Sequence, residues 1–472
     1  MAIDLTKPLK WDGAKNEEKT LLENLQGNIL KGHGRDNVTV LFVRFKADEV
    51  AGAKTFLRTV ATQHLRSALI ELEQAKKFKA DGTPGDTHVS IALTAACYQL
   101  LGIAPAKTPS DPAFLATMRK RTGLKDPASS QWETGLKGTI HALVLIADDL
   151  EARVDDVRAQ IEAVLASTKS GTVVGREDGQ AMRNKHGEGI EHFGYVDGRS
   201  QPLMLVEDIQ REKTEKGGID QWDPTFGIGQ ALVSDPAVTA PSRFGSYLIF
   251  RKLEQNVRGF KDAEDKLAVK LGLVGEAAEL AGALVVGRFE DGTPVVLQNT
   301  DGLTPAPNNF AVGGDPDAMK CPFVGHIRKT NPRGDTVQLG ATLADERAHL
   351  MPRRGIPFGK RATHPNDPVL DVKSNLYPKG GVGLLFMAFN SDLVNQFEFT
   401  QQSWVNAPSF AGNTGIDPII ANGKNPAGMQ KWPQKWGQSS GGPMVGFDFS
   451  GFVRMRGGEY FFAPSRTFLT TL

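Results

Sequence analysis

The sequence predicts an α+β protein built from two ferredoxin-like halves. Three observations carry that prediction. Short β-branched and aromatic runs read as strands, amphipathic stretches at helical spacing follow them, and the same strand–helix–strand order returns in the second half.

In the first half, Val38 to Phe45 (VTVLFVRF) is dense enough in Val and Phe to be a buried strand. From about Asp48 to Lys77, Ala, Leu and Ile recur at helical spacing and predict a helix. Thr139 to Ala147 (TIHALVLIA) is a second strong strand. It runs into Asp148 and Asp149, acidic residues that suit a helix start. Leu150, Val154, Val157, Ile161 and Val164 then fall on one helical face. A third strand is expected over Glu191 to Val196, after a polar Gly-rich loop.

The second half replays this order. Ser246 to Arg251 (SYLIFR) is a strand, and helical material follows from about Lys261 to Gly287. Gly383 to Phe389 (GLLFMAF) is another strand, and Asn390 starts a helix through about Trp404. Glu459 to Ala463 (EYFFA) closes the chain. The joint ALVLIADDL at 142–150 is similar to LLFMAFNSDL at 384–393, and EHFGY is similar in character to EYFFA. We therefore divide the chain into an N-terminal half, residues 1–215, and a C-terminal half, residues 216–472. Two Gly/Pro-rich stretches, 296–335 and 405–445, read as long loops, and loops of that length in a compact fold are usually functional.

Composition narrows the function. The 472 residues carry 55 Lys and Arg against 54 Asp and Glu, so no net field favours nucleic acid or an anionic membrane. Cys97 and Cys321 are the only cysteines, too few for a disulfide framework or a cysteine-rich metal site. No run approaches the roughly 18–20 apolar residues of a spanning helix, and the polar N-terminus lacks the pattern of a secretory signal. The expectation is a soluble, cytoplasmic protein.

Three segments could carry chemistry. In GYVDGRSQP at 194–202, Asp197 sits between glycines at an expected strand end. Asp-Gly is ordinary turn chemistry, but backbone that approaches closely can also push such a carboxylate into a cavity as an acid–base group. In CPFVGHIRKTNPRGD at 321–335, His326 is followed by Arg328, Lys329 and Arg333. Most single histidines are structural, yet cations beside one suit a cofactor whose carboxylates need charge-assisted hydrogen bonds, as haem propionates do. In HLMPRRGIPFG at 349–359, the paired Arg353 and Arg354 read either as a solvated loop or as a fixed guanidinium that stabilises developing negative charge.

In this order and spacing, the three segments resemble the dye-decolorizing peroxidases. The likeness extends to LQGNILKGHGRD at 25–36, GSYLIFRKLEQ at 245–255, GLLFMAFNSDL at 383–393 and GGEYFFAPS at 457–465, and so covers nearly the whole chain. Gly194, Asp197 and Gly198 match the GxxDG element in full. The resemblance implies a dimeric α+β-barrel-like fold of two ferredoxin-like halves and one haem (heme) b per chain. It implies a peroxidase that reduces hydrogen peroxide and oxidises bulky aromatic reductants such as dyes and phenolics by one-electron steps.

Carried over residue by residue, the resemblance makes His326 the iron ligand, and Asp197 and Arg353 the catalytic pair on the opposite face. Arg354 is the alternative to Arg353. Arg333 pairs with a propionate, Gly198 belongs to the cofactor-binding turn, and Leu384 and Phe386 line the pocket. Glu398 is the expected acceptor for the second ring nitrogen of His326. His349, His192 and His33 are rival ligands, but the first two lie too near Arg353 and Asp197 to take the opposite face, and His33 sits in a Gly-rich loop.

The alternative function is a non-enzymatic haem carrier or iron-retrieval protein on the same fold, which would not need Asp197 or Arg353. A non-haem metal hydrolase finds no HExxH-like spacing here. Oligomeric state stays open, a homo-oligomer included.

Overall fold

A computed structural model describes residues 3–367 and 376–472. Four strands form the first half: β1 (Asn37–Phe45), β2 (His88–Leu93), β3 (Ala142–Asp148) and β4 (Gly171–Gln180). They pair antiparallel in the order β4-β1-β3-β2. The second half has β5 (Phe244–Gln255), β6 (Ile356–Phe358), β7 (Gly383–Asn390) and β8 (Val453–Ala463), paired antiparallel as β8-β5-β7-β6. Each half thus places its fourth strand beside its first and its third beside its second, the ferredoxin-like order.

The halves close on each other. Gly179 of β4 pairs with Phe358 of β6, and Leu93 of β2 pairs with Phe462 of β8. The circuit contains eight of the nine strands of the sheet; the ninth, Val233–Ser234, lies outside it on β5. A closed ring leaves few unpaired strand edges.

Strand alternation sorts the side chains into two cores. Phe42, Leu145, Phe250, Met387 and Phe461 pack inside the ring. Leu41, Val144, Ile249 and Tyr460 face outward, where Phe56 and Leu57 of α1 (Val50–Gln63) and Ile161 of α3 (Glu151–Thr168) cover them. A third cluster gathers Phe260 and Leu267 of α4 (Val257–Leu271) and Leu284 of α5 (Glu279–Val286) around Phe449. Each fully buried side chain of this size contributes about 1.5–3 kcal/mol. The candidate site lies between this third cluster and the outer face of the second half's strands.

Several elements differ from the sequence reading. The helix expected over 48–77 is two, α1 and α2 (Ala68–Asp81), broken where the Ser67 hydroxyl accepts the Ile70 N–H at 3.3 Å. The helix expected over 261–287 likewise divides into α4 and α5 at Gly272, whose φ is +74°. After β7 the chain winds as π-helical turns, Val394–Glu398 and Thr400–Val405. The strand expected over 191–196 is not in the ring; β4 holds that place, so EHFGY is not the counterpart of EYFFA. Among the described residues, no helix is long and apolar enough to cross a membrane.

Candidate active site

One cavity, enclosing about 1930 Å³ with its open mouth included, gathers most of the residues singled out by sequence. Asp197, Gly198, His326, Arg353, Leu384 and Phe386 all line it. Leu384 and Phe386 reach it by alternation, because Leu385 between them and Met387 after them point into the ring. Asp197 reaches it through a turn: its own N–H donates to the Gly189 carbonyl at 2.9 Å, and the Val196 N–H to the Glu290 carbonyl at 3.2 Å. Gly198 follows with φ +78° and donates its N–H to Oδ1 of Asp197 at 2.6 Å. That backbone conformation strains any side chain other than glycine.

His326 opens a short helix, His326–Thr330, and is a quarter exposed to the cavity, with 25% of its side chain accessible. Its Nδ1 donates to Oδ2 of Asp417 at 2.9 Å. Asp417 is fully buried, and its Oδ1 accepts the N–H groups of Ile419 and Ile420, each at 2.8 Å. Burial works against charge on both partners. The ion pair outweighs it, raising the His326 pKa and lowering that of Asp417. Arg353 opposes that rise in the His326 pKa and Asp197 adds to it, both more weakly than Asp417.

The acceptor behind His326 is therefore Asp417, and Glu398 is not. Glu398 accepts Nε of Arg121 at 2.8 Å and the Tyr460 hydroxyl at 2.9 Å. The rival histidines separate cleanly. Nε2 of His192 donates to the Phe358 carbonyl at 2.8 Å, and burial lowers the imidazole pKa to about 4. His33 stacks on His88 at 5.2 Å, outside the cavity lining. His349 reaches the cavity wall, but its ring is stacked on Phe399 at 3.6 Å.

The two arginines of the third segment point different ways. Arg353 lines the cavity, whereas Arg354 donates to the carbonyls of Asn28, Ile29 and Arg353 and is absent from the lining. The cations following His326 are largely structural. Arg328 is clamped between Asp335 and Asp315 at 2.7 and 3.0 Å, and Lys329 donates to the Ala407 and Phe410 carbonyls.

Arg333 lies behind the lining rather than in it, bonded to the Asn308 and Phe310 carbonyls and to the Ser200 hydroxyl at 2.9 Å. Arg199, Ser200 and Arg288 form the wall in front of it. Burial first, then Arg199, lowers the Arg288 pKa to about 9. Burial, then Arg288 and Arg199, lowers that of Arg333 well below the guanidinium range. Nε of Arg333 is buried without a partner. Of the three guanidiniums, only Arg199 has a direct carboxylate partner among the described residues, Glu212 at 2.8 Å. Such a cluster suits an anionic group arriving from the cavity.

This donor set fits haem. His326 offers one ring nitrogen with the other fixed by Asp417, the arginine wall suits carboxylates, and Val286, Ile327, Leu384, Phe386 and Met455 give apolar walls. Sequence reasoning missed Asp417, Arg199 and Arg288. Asp417 does fall in the long loop over 405–445 read as functional, but nothing local marks it.

Fold and site together define a haem-binding α+β protein of the ferredoxin-like barrel type. The comparisons make this specific. The profile of the DyP dimeric alpha+beta barrel domain family matches residues 24–182. Over the full length of both chains, the sequence is 46% identical to the multifunctional dye peroxidase DyP2 of Amycolatopsis sp.. The solved structure of DyP2 superposes with a TM-score of 0.94 at 44% identity, covering 100% of each chain. A DyP-type peroxidase of Anabaena sp. superposes with a TM-score of 0.90 at 41% identity, covering 98% of this chain and 97% of its own. A dye-decolorizing peroxidase in complex with 2,6-dimethoxyphenol superposes at 0.75 with 26% identity, covering 95% of this chain and 98% of its own. The chain belongs to the dye-decolorizing peroxidase family.

Proposed function

We propose that this chain is a peroxidase that binds one haem b, reduces hydrogen peroxide to water and takes one electron from each of two bulky aromatic donors. The observation that carries this reading is the single cavity that Asp197 and Arg353 line together with His326, whose imidazole Asp417 holds from behind. A haem carrier needs the histidine and the arginine wall, but not an acid and a guanidinium placed with them.

His326 would hold the iron, Arg199, Arg288 and Arg333 would answer the propionates, and Leu384 and Phe386 would limit what enters. Haem, when bound, supplies the redox centre that holds the oxidising equivalents between the two donor oxidations. The protein supplies proton control. Asp197, on its exposed turn, accepts the proton from the inner peroxide oxygen and returns it to the outer one, which leaves as water. Arg353 stabilises the negative charge that grows on the outer oxygen as the O–O bond breaks.

The aromatic donor is proposed from the relatives, which include a dye-decolorizing peroxidase in complex with 2,6-dimethoxyphenol. The test is peroxide-driven oxidation of a dye by the haem-loaded protein, beside Asp197→Asn and Arg353→Leu. Full haem binding with no peroxide turnover in the wild type would turn the reading to a carrier.

A further inference from the structure

Arg353 has no hydrogen bond from its guanidinium to any described residue, so its place in the cavity depends on how its backbone is held. On one edge that backbone is strand-like. The Arg354 N–H donates to the Met387 carbonyl at 2.7 Å, and the Phe389 N–H to the Pro352 carbonyl at 3.0 Å. The Arg353 N–H itself donates to Oε1 of Gln201 at 2.9 Å, four residues after Asp197. Its carbonyl is taken by NH1 of Arg354 at 2.8 Å.

The same Arg354 guanidinium reaches into the other half of the molecule. Nε donates to the Asn28 carbonyl at 2.8 Å and NH2 to the Ile29 carbonyl at 2.9 Å. Asn28 is in the left-handed region, φ +71°, which turns these two successive carbonyls toward one fork. Its side-chain oxygen accepts the His33 N–H at 3.2 Å and secures the turn. All three acceptors are neutral. Burial, then Arg353, lowers the Arg354 pKa to about 10, so the fork stays charged at neutral pH. Five donors in a rigid plane can serve three carbonyls at once; a lysine ammonium has the charge without that geometry.

We propose that Arg354 is a positioning residue for peroxide chemistry: by binding the carbonyls of Asn28, Ile29 and Arg353 together, it fixes Arg353 in the cavity and ties that position to the N-terminal half. The proposal rests on Arg353 being the arginine that acts on peroxide. It gives the turn 26–32 a task in catalysis although none of its residues lines the cavity. A displacement of Arg353 by about 1 Å is enough to cost up to a hundredfold in rate.

The test is a double-variant cycle on the reaction of haem-loaded protein with peroxide, followed by stopped flow. Arg354→Leu and Arg354→Lys should each slow that reaction by roughly tenfold or more while sparing the KM for dye. Arg354→Leu should add nothing on an Arg353→Leu background, because it acts through Arg353. Fluoride titration of the ferric protein, which reads a donor near a bound anion without turnover, should weaken in the same pattern. Hydrogen exchange of the haem-free chain should quicken at 28–30 and 353–356 in Arg354→Leu. Wild-type peroxide and fluoride constants in Arg354→Leu, or multiplicative losses in the double variant, would overturn the proposal. An unimpaired Arg353→Leu would overturn the assignment of Arg353 itself, and this proposal with it. Should Arg354→Leu not fold, Asn28 carries the test. Both variants lose the His33 contact, but Asn28→Gly adopts the left-handed turn freely while Asn28→Val opposes it, so Val should slow the peroxide reaction clearly more than Gly. Equal rates in the two variants would also overturn the proposal.

Discussion

Nδ1 of His326 donates to the buried carboxylate of Asp417 at 2.9 Å, across 91 residues of chain. The two backbone N–H groups on the other carboxylate oxygen leave Asp417 little freedom, so it sets the imidazole plane as well as its basicity. His326→Ala should therefore fail to take up haem, read as loss of the Soret band on reconstitution. Asp417→Asn should still bind haem, about 10–100-fold less tightly, with a higher ferric/ferrous potential because a negative charge has left the ligand. An unchanged potential in Asp417→Asn would mean that the pair only orients the ring.

In the proposed mechanism Asp197 and Arg353 have different tasks, so their variants should fail differently. Arg353→Leu removes one donor to a developing oxyanion, a loss of about 3 kcal/mol or a hundredfold in the rate with peroxide. Asp197→Asn keeps size but cannot accept a proton, and should slow the same reaction by roughly 10²–10⁴. Stopped-flow rates at several pH values decide. A wild-type rate in Asp197→Asn at every pH would reduce Asp197 to a turn residue.

The strands and the site were legible to different depths. β1, β3, β5 and β7 announced themselves because both of their faces are covered, which demands continuous apolar sequence. β4 (GTVVGREDGQ) was hidden, since glycines and charges replace the expected pattern. The charges Arg176 and Asp178 stand at exposed positions of the strand, and the glycine follows from local crowding: a Cβ on Gly175 would meet Cα of Gly135 at 3.0 Å and the Phe42 ring at 3.2 Å. Asp197, His326 and Arg353 sit in short contiguous motifs, which let sequence single them out, and the structure brings all three to one cavity. Asp417 could not be singled out, because its role depends on where the 405–445 loop lands in space; Arg199, two residues from Asp197, and Arg288, just after α5, carried no local cue that they would meet at one cavity wall. Between Arg353 and Arg354, open in sequence, Arg353 lines the cavity and Arg354 does not, and the proposal for Arg353 rests on that.

That crowding is itself testable. Gly175→Ala should destabilise the fold by about 1–3 kcal/mol through overpacking, measured by chemical denaturation of the haem-free chain. Neutral behaviour would show that the backbone at Gly135 yields without cost.

The last prediction concerns Glu191, a cavity-lining carboxyl that the proposed mechanism does not use. It accepts the N–H of Phe193 at 2.8 Å, the N–H of Tyr195 at 3.1 Å and the side-chain amide of Gln255. Burial pushes its pKa up to about 7; those hydrogen bonds oppose the rise, and the charge on Asp197 adds to it. Arg361 is the cation that faces it. Between the ordinary carboxylate value of 4.5 and about 7, the native chain holds this proton while the unfolded chain has released it. Stability must then fall as pH rises through that window, by at most about 3 kcal/mol from this group. Glu191→Gln loses hydrogen-bond acceptors at a cost that does not depend on pH, but it removes the titration. The melting temperature of the variant relative to wild type should therefore climb from pH 4.5 to 7 and then level off. Asp197→Asn, by removing the like charge, should move the midpoint of that window to lower pH in the protein that keeps Glu191. A difference between Glu191→Gln and wild type that stays flat with pH would show that Glu191 ionises in the native cavity as it does in water.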